Sequence, residues 1–156
     1  EGKDYYFLSE KDFKDKIKKE EYVEYATVFG NFYGTAKEEI KTKYNNSNLI
    51  LELDWQGAYA VKELFDDAKL IFLVPPSLDD LKQRLIKRNL DSSKEIESRL
   101  SEAKKEISKS EMYDYLVLND DFHKAFEDLS QILFEGISPI DFNSRASKDL
   151  IKRLVE

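Results

Sequence analysis

Three arginines are spaced so that they could bind one phosphate group together. Arg84 and Arg88 lie four residues apart in a stretch with helical periodicity, so they share a helix face about 6 Å apart. Arg99 follows on the next predicted helix, across the short break 89–93. A guanidinium group binds phosphate through two parallel hydrogen bonds and cannot lose its charge. The pattern predicts a hinged phosphate-binding lid; the alternative is that Arg84 pairs with Asp80 on an exposed helix face.

A second set of candidate residues lies in the first third of the chain and is polar. Its members are Tyr5, Glu24, Tyr33, Thr35 and Asp54. Glu24 interrupts an aromatic strand pattern, where its carboxylate could accept two adjacent N–H groups. Strand alternation favours the opposite interpretation, in which Glu24 faces water. Asp54 ends an apolar run and is either an acid at a phosphate-binding site or a helix N-cap.

Composition excludes several classes of chemistry. The chain has no cysteine, so disulfides, Cys-ligated metals and thiol nucleophiles are ruled out. Its one histidine, His123, is predicted to be a surface residue without a catalytic role, and no residue is assigned to a metal. With 25 Lys and Arg against 32 Asp and Glu, the net charge of −7 argues against general nucleic-acid binding. No apolar run approaches the roughly 18 residues of a membrane span, so we expect a cytoplasmic protein without a membrane partner.

Strand and helix patterns alternate through most of the chain. Strands are predicted at 5–9, 22–29, 49–54, 70–74 and 115–118, a tight turn at 30–35, and helices at 10–19, 37–44, 56–64, 77–88, 92–107, 120–134 and 145–155. The last three strands are nearly continuous apolar runs, which is typical of a parallel sheet covered on both faces. The alternation predicts a doubly wound α/β sheet, which binds ligands beyond the carboxyl ends of its strands. Asp54, Pro75 and Asn119 occupy those ends.

The chain resembles the guanylate kinase family in an ordered series of motifs from residue 2 to about residue 134. The motifs are GKDYYF (2–7), VEYA (23–26), GNFYGT (30–35), LDWQGA (53–58), PPS (75–77), RLIKR (84–88), SRL (98–100) and YDYLVLNDD (113–121). The pattern is similar to the bacterial enzymes in particular. The resemblance implies a P-loop kinase-like α/β fold with a small mixed β lobe for GMP and a helical lid. It implies transfer of the γ-phosphoryl group of ATP to GMP, with Mg²⁺. A non-catalytic guanylate-kinase-like protein-interaction module is the alternative.

The resemblance also implies a role for each candidate residue. Glu24 would accept the N1–H and N2–H₂ of guanine, Thr35 would donate to the guanine O6, and Asp54 would support the base. Tyr5 and Tyr33 would hold the 5′-phosphate of GMP. Arg84, Arg88 and Arg99 would close over the γ-phosphoryl group of ATP. Asn119 would contact ATP.

The resemblance divides a single domain, 1–156, into functional parts. They are a GMP-binding lobe at about 1–45, a core at 46–83 and 112–135, a lid at 84–111, and a C-terminal connector and helix at 136–156. The printed sequence contains no Gly-x-x-x-x-Gly-Lys-Ser/Thr motif. We therefore expect a fragment without the N-terminal strand and P-loop of the family, with impaired turnover. The chain departs from the family pattern at two positions, since Glu52 replaces the usual Asp and Asn89 replaces a common Gly of the lid. The resemblance leaves homo-oligomerisation open.

Overall fold

The computed structural model describes residues 5–28, 30–44, 48–88, 92–141 and 144–155. The chain forms two compact units, the first extending to Ala68 and the second beginning at Lys69. In the described residues, each unit has a two-stranded sheet and a buried apolar cluster of its own. Gly2, Phe29 and Asn89, which belong to sequence patterns discussed above, lie outside the described residues.

The first unit begins with a helix whose start is fixed by Ser9. The Ser9 hydroxyl accepts a hydrogen bond from the Asp12 N–H at 3.1 Å, which satisfies an amide that a helix start leaves unpaired. A β-hairpin and two further helices follow. The elements are α1 (Glu10–Lys18), β1 (Tyr22–Val28), β2 (Asn31–Ala36), α2 (Lys37–Tyr44) and α3 (Trp55–Leu64). These bounds confirm the helices predicted at 37–44 and 56–64 to within one residue.

The hairpin turn is tighter than the sequence pattern predicts. Gly30 has a φ of 80°, a left-handed conformation that glycine adopts without steric cost, and Val28 pairs with Asn31 across the turn. The residues from Asn31 to Thr35, predicted as part of the turn, belong to β2 instead. Because the turn at Gly30 already reverses the chain, the following residues can extend beside β1.

Two of the predicted strands are wrong. Residues 5–9 and 49–54 have no regular secondary structure, although their side chains are aromatic or apolar. A strand depends on hydrogen bonds to a neighbouring strand, and among the described residues the sheet of this unit pairs β1 with β2 alone. The apolar run therefore indicates burial and not a place in a sheet. Its side chains contact the cluster of Val23, Ile40 and Val61 through Leu49, Leu51 and Leu53.

Aromatic stacking joins α1 to the hairpin. The Phe13 ring stacks on the rings of Tyr22 and Phe32, with centroid distances of 4.5 and 5.3 Å. Such pairs contribute about 0.5–1.5 kcal/mol beyond the burial of their surface. A Cβ on Gly34 would lie 3.0 Å from the Tyr22 ring and 3.1 Å from the Phe13 ring. The absence of a side chain at Gly34 therefore makes room for the stack.

The Tyr22 hydroxyl leads to a stability prediction. It is buried, and no described residue forms a hydrogen bond with it. An unpaired buried hydroxyl costs about 1–3 kcal/mol. We therefore expect Tyr22→Phe to keep the free energy of unfolding at pH 7 or to raise it by about 1 kcal/mol, as measured by urea denaturation. A clear loss of stability in Tyr22→Phe would contradict this expectation.

The same variant should change the alkaline pH dependence of stability. Burial raises the pKa of the Tyr22 phenol, with Lys16 opposing and Glu21 adding to the increase. The unfolded phenol therefore ionises first, and the free energy of unfolding falls as pH rises above about 10. The pKa of Lys16 is also raised, by its hydrogen bond with Glu21, so its contribution is lost in the same range. Tyr22→Phe removes the phenol contribution, together with the part of the Lys16 shift that the phenol causes, and should therefore give a shallower fall.

The second unit alternates strands and helices. Its elements are β3 (Ile71–Val74), α4 (Leu78–Arg88), α5 (Ser93–Ile107), β4 (Tyr115–Leu118), α6 (Phe122–Ser130) and α7 (Arg145–Val155). The two strands are parallel, with Ile71 opposite Tyr115 and Val74 opposite Leu118, as predicted for strands connected by helices. A turn of 3₁₀-helix, Ser110–Met112, precedes β4. The helix predicted at 120–134 is divided, because a π-helical turn, Gln131–Glu135, follows α6.

Local capping fixes the helix starts of the second unit. The Asp80 N–H donates to the Ser77 hydroxyl at 2.9 Å at the start of α4. At the start of α5, the Ser92 N–H donates to Glu95 Oε2 at 2.7 Å and the Glu95 N–H donates to the Ser92 hydroxyl at 3.4 Å. The Ser92 hydrogen bonds lower the pKa of the Glu95 carboxyl. Together these two hydrogen bonds form a capping box.

The core of the second unit surrounds the parallel strands. Val74 and Leu116 are fully buried, and Ile107 at the end of α5 packs with them. The C-terminal helix α7 adds Leu154, which is 2% exposed, to the same cluster. Helices α5 and α7 thus share one core with the sheet.

Candidate functional site

A β-bulge places Glu24 against α3. The pairing register shifts between Tyr22 and Glu24, so Val23 is an extra residue in β1. A bulge redirects the side chains of the bulged strand. Val23 packs with Val61 of α3, and the Glu24 carboxylate lies beside the first turn of the same helix. Glu24 is half-buried as a result. Simple strand alternation would instead predict that its side chain faces water.

Thr35 orients the Glu24 carboxylate. The two residues lie opposite each other in the hairpin, and Thr35 Oγ1 donates a hydrogen bond to Glu24 Oε1 at 2.6 Å. An ionised carboxylate has about four lone-pair sites, so this bond leaves sites on both oxygens. The N-terminal end of a helix such as α3 favours a negative charge. The pair is therefore an oriented acceptor for N–H donors.

Asp54 is the N-cap of α3. This confirms the interpretation of Asp54 as a helix N-cap, which is a structural role. Its Oδ1 accepts a hydrogen bond from the Gly57 N–H at 2.9 Å. The Gln56 side-chain amide lies 3.4 Å from its Oδ2. Asp54 thus anchors the helix turn beside which the Glu24 carboxylate lies.

Tyr5 and Tyr33 are in contact with each other. Their rings meet edge to face with centroids 6.2 Å apart, and they are 59% and 44% exposed. Tyr33 precedes Thr35 by two residues on β2, so both side chains lie on the same face of that strand. The first unit therefore brings together four of the five residues predicted to bind GMP: Tyr5, Tyr33, Thr35 and Glu24.

Arg84 is fixed at the carboxyl end of β4. Its Nη1 donates to the Asn119 carbonyl at 2.8 Å, and its Nη2 donates to the Asp120 carbonyl at 3.2 Å. The Asn119 N–H in turn donates to the Val74 carbonyl at 2.8 Å. The structure therefore brings two predicted site residues, Arg84 and Asn119, into direct contact.

The other two predicted lid arginines lie on neighbouring helices. Arg88 is exposed one turn after Arg84 on α4, and Arg99 is half-buried on α5. Asp80 accepts a hydrogen bond from the Ser77 hydroxyl, and the Arg84 donors described above are directed to backbone carbonyls. The interpretation of Arg84 as a partner of Asp80 is therefore not supported by these contacts.

Other groups contribute little to a site. His123 is exposed at the start of α6, with its ring centroid 5.7 Å from that of Phe122. Within the ranges that the structure describes, no three His, Asp or Glu side chains are grouped so that they could hold a metal ion. None of the described helices is both long enough and apolar enough to cross a membrane.

Two features of the site were missed by the sequence patterns. One is the bulge at Val23, for which a signal exists: Tyr22 and Val23 are adjacent apolar residues, which breaks the alternation before Glu24. The other is the pair of carbonyl acceptors for Arg84, for which no signal exists because every residue type carries a carbonyl.

Comparison with known proteins identifies relatives over most of the chain. The family model described as guanylate kinase matches residues 1–136. A guanylate kinase of Wolbachia sp. subsp. Brugia malayi is 46% identical over 134 residues, which are 85% of this chain and 69% of that protein. A guanylate kinase of Francisella tularensis is 42% identical over 138 residues, 87% of this chain and 73% of that protein.

A solved structure agrees with these matches. The crystal structure of guanylate kinase from Anaplasma phagocytophilum superimposes with a TM-score of 0.71 at 31% identity, covering the whole of this chain and 77% of that one. The likeness confirms the predicted α/β, P-loop kinase-like fold class. Because the family model and relatives above 40% identity agree over most of its length, the chain belongs to the guanylate kinase family.

Proposed function

We propose that the chain is a guanylate kinase that binds GMP in its first unit and takes part in phosphoryl transfer from ATP. In that reaction the γ-phosphoryl group moves to a 5′-phosphate oxygen of GMP, and the products are GDP and ADP. The observation that carries the proposal is the half-buried Glu24 carboxylate, held by Thr35 at 2.6 Å. The relatives are named guanylate kinase, so a non-catalytic interaction module is not favoured.

Guanine recognition follows from the donors and acceptors at this carboxylate. Guanine presents N1–H and N2–H₂ side by side, and the two oxygens of Glu24 can accept one hydrogen bond from each. Adenine has an acceptor at N1 and no 2-amino group, so it would leave the carboxylate without these partners. A site built to pair with polar groups rejects a ligand that lacks them, because its own groups are then left unpaired.

Thr35 has a hydroxyl with a single proton, which limits its role. In the ligand-free chain that proton is directed to Glu24 Oε1. Donation to the guanine O6 therefore requires the hydroxyl to rotate away from the carboxylate. The guanine N1–H supplies a replacement donor to Glu24, so the exchange leaves the carboxylate with no unpaired oxygen. We infer that Thr35 holds Glu24 in place before GMP binds and turns towards O6 afterwards.

The tyrosines and Asp54 complete the proposed GMP site. The exposed phenols of Tyr5 and Tyr33 are available to donate hydrogen bonds to the 5′-phosphate. Asp54 supports the base indirectly, because it caps the helix beside which Glu24 lies.

The second unit supplies positive charge for the transferring group. Phosphoryl transfer depends mainly on positioning and on neutralising charge in the transition state. We assign that task to Arg84, Arg88 and Arg99, and we assign contact with ATP to Asn119. The hydrogen bonds of Arg84 to two carbonyls support this assignment, because they restrict a flexible side chain before any ligand binds.

Magnesium is expected to arrive with ATP. When bound with ATP, Mg²⁺ would neutralise part of the negative charge of the phosphate groups. It is usually held by one or two carboxylates together with substrate phosphates. Within the part of the chain that the structure describes, no three His, Asp or Glu side chains are grouped to hold a metal ion, and we assign Mg²⁺ no protein ligand here.

Nucleotide binding by the 156-residue chain tests this proposal. Isothermal titration calorimetry should give an affinity for GMP at least about 100-fold higher than for AMP, because AMP leaves Glu24 unpaired. ATP should not displace GMP, because we assign the two nucleotides to different residues. A chain that binds AMP as well as GMP would contradict the proposal.

A further inference from the structure

Gly57 lies in the first turn of α3, directly beside the Glu24 carboxylate. A Cβ built on Gly57 would lie 3.3 Å from both Cγ and Oε2 of Glu24 and 3.2 Å from Leu53 Cβ. Ordinary contacts between two carbon atoms are about 3.5–4.0 Å, so the Cγ of Glu24 and the Cβ of Leu53 would be closer than usual. Any side chain at position 57 would therefore require Leu53 and the Glu24 side chain to give way by a few tenths of an ångström.

The backbone does not explain why a glycine stands at this position. Gly30 and Gly136 are the glycines with positive φ among the described residues, and Gly57 is not one of them. Gly57 is also helical, and glycine stabilises a helix less than alanine does. The space beside Glu24 and Leu53 is the feature that an alanine would change.

We propose that Gly57 is a positioning residue that determines the specificity for guanine. Its missing side chain lets the bulged strand seat Glu24 against α3, with both carboxylate oxygens aligned for N1–H and N2–H₂. Thr35 fixes one oxygen by a hydrogen bond, and Gly57 sets the position of the other by leaving it room. This inference rests on the proposed function, because it concerns the selection of guanine by Glu24. Site geometry must hold to within about 0.5 Å, and a displacement of a few tenths takes up much of that margin.

Gly57→Ala tests the proposal, because it should move stability and binding in opposite directions. The midpoint of urea denaturation should stay the same or rise, since alanine favours the helix. The Kd for GMP should rise about tenfold, because two charge-assisted hydrogen bonds are strained together. The Kd for IMP, which lacks the 2-amino group, should rise less, so the preference for GMP over IMP should shrink.

Two further variants make the result specific. Glu63→Ala, exposed on the same helix, should leave both affinities unchanged. In a Glu24→Gln background, Gly57→Ala should raise the Kd for GMP by a smaller factor than in the wild-type chain, because one of the two hydrogen bonds to guanine is already lost.

The failures of this inference and of the proposed function can be told apart. A Gly57→Ala chain with an unchanged preference for GMP over IMP overturns the inference. The inference is also overturned if Gly57→Ala loses stability and the Kd values for GMP and IMP rise by the same factor, since that result indicates a structural role. A wild-type chain that does not distinguish GMP from AMP overturns the proposed function, and this inference with it.

Discussion

Glu24→Gln should weaken GMP binding by a factor of about 100 or more while the chain keeps its fold. The amide offers one acceptor where the carboxylate offers two, and its NH₂ group would face a donor of the guanine edge. Two hydrogen bonds to a charged group contribute roughly 1.5–3 kcal/mol each, and the loss of about 2.7 kcal/mol already corresponds to a hundredfold change in Kd. Calorimetric titration with GMP measures the effect. IMP should lose less, because the Gln oxygen can still accept its N1–H.

The fold should tolerate this change, because glutamine has the same shape and keeps an acceptor for the Thr35 hydroxyl. The free energy of unfolding should change by less than about 1 kcal/mol. Glu63→Gln is the matched control, since Glu63 is exposed on α3 and the charge change is identical. If Glu24→Gln loses stability and affinity in parallel, or if Glu63→Gln weakens GMP binding equally, Glu24 does not recognise guanine.

Helix starts could be predicted from sequence because their determinants are local. At Ser9, Ser77 and Ser92 the hydroxyl accepts a hydrogen bond from the backbone N–H three residues later. Such a contact depends on a few neighbouring residues and on no distant part of the chain. The bounds of α7 were predicted to the residue for a related reason, since its apolar stripe has clear helical periodicity.

Strand pairing could not be predicted in the same way, because it depends on partners that are distant in sequence. Residues 49–54 have the composition of a buried strand, yet they pack their side chains without joining the sheet formed by β1 and β2. The bulge at Val23 is also a property of two strands, since it is defined by the register against β2. One extra residue redirects side chains, so the strand pattern alone left the direction of Glu24 open.

The candidate site was predictable in part. The resemblance selected Glu24 and Thr35, and the structure places them opposite each other in one hairpin with a direct hydrogen bond. It also selected Arg84 and Asn119, which are in contact. That contact uses a backbone carbonyl of Asn119, however, and residue identity does not predict it. The catalytic and binding roles of all nine residues stay predictions until the variants are measured.

Leu154→Ala should destabilise the second unit by about 3 kcal/mol. Leu154 is 2% exposed and packs with Ile107 of α5 and Leu116 of β4. Truncation of a buried leucine removes apolar contacts and leaves a cavity, which together cost about 2–5 kcal/mol. The family model ends at residue 136, so this helix lies beyond the matched region and still contributes to the core. Urea denaturation followed by far-UV circular dichroism measures the loss.

A matched change on the same helix separates packing from helix formation. Lys148→Ala removes an exposed side chain from α7 and keeps a strong helix former, so it should change stability by less than about 0.5 kcal/mol. If Leu154→Ala were as mild as Lys148→Ala, α7 would not be part of the core. The expected difference between the two variants would instead show that α7 holds the end of α5 to the sheet. Because Arg99 is carried on α5, the packing of Leu154 would then help to determine where this arginine lies.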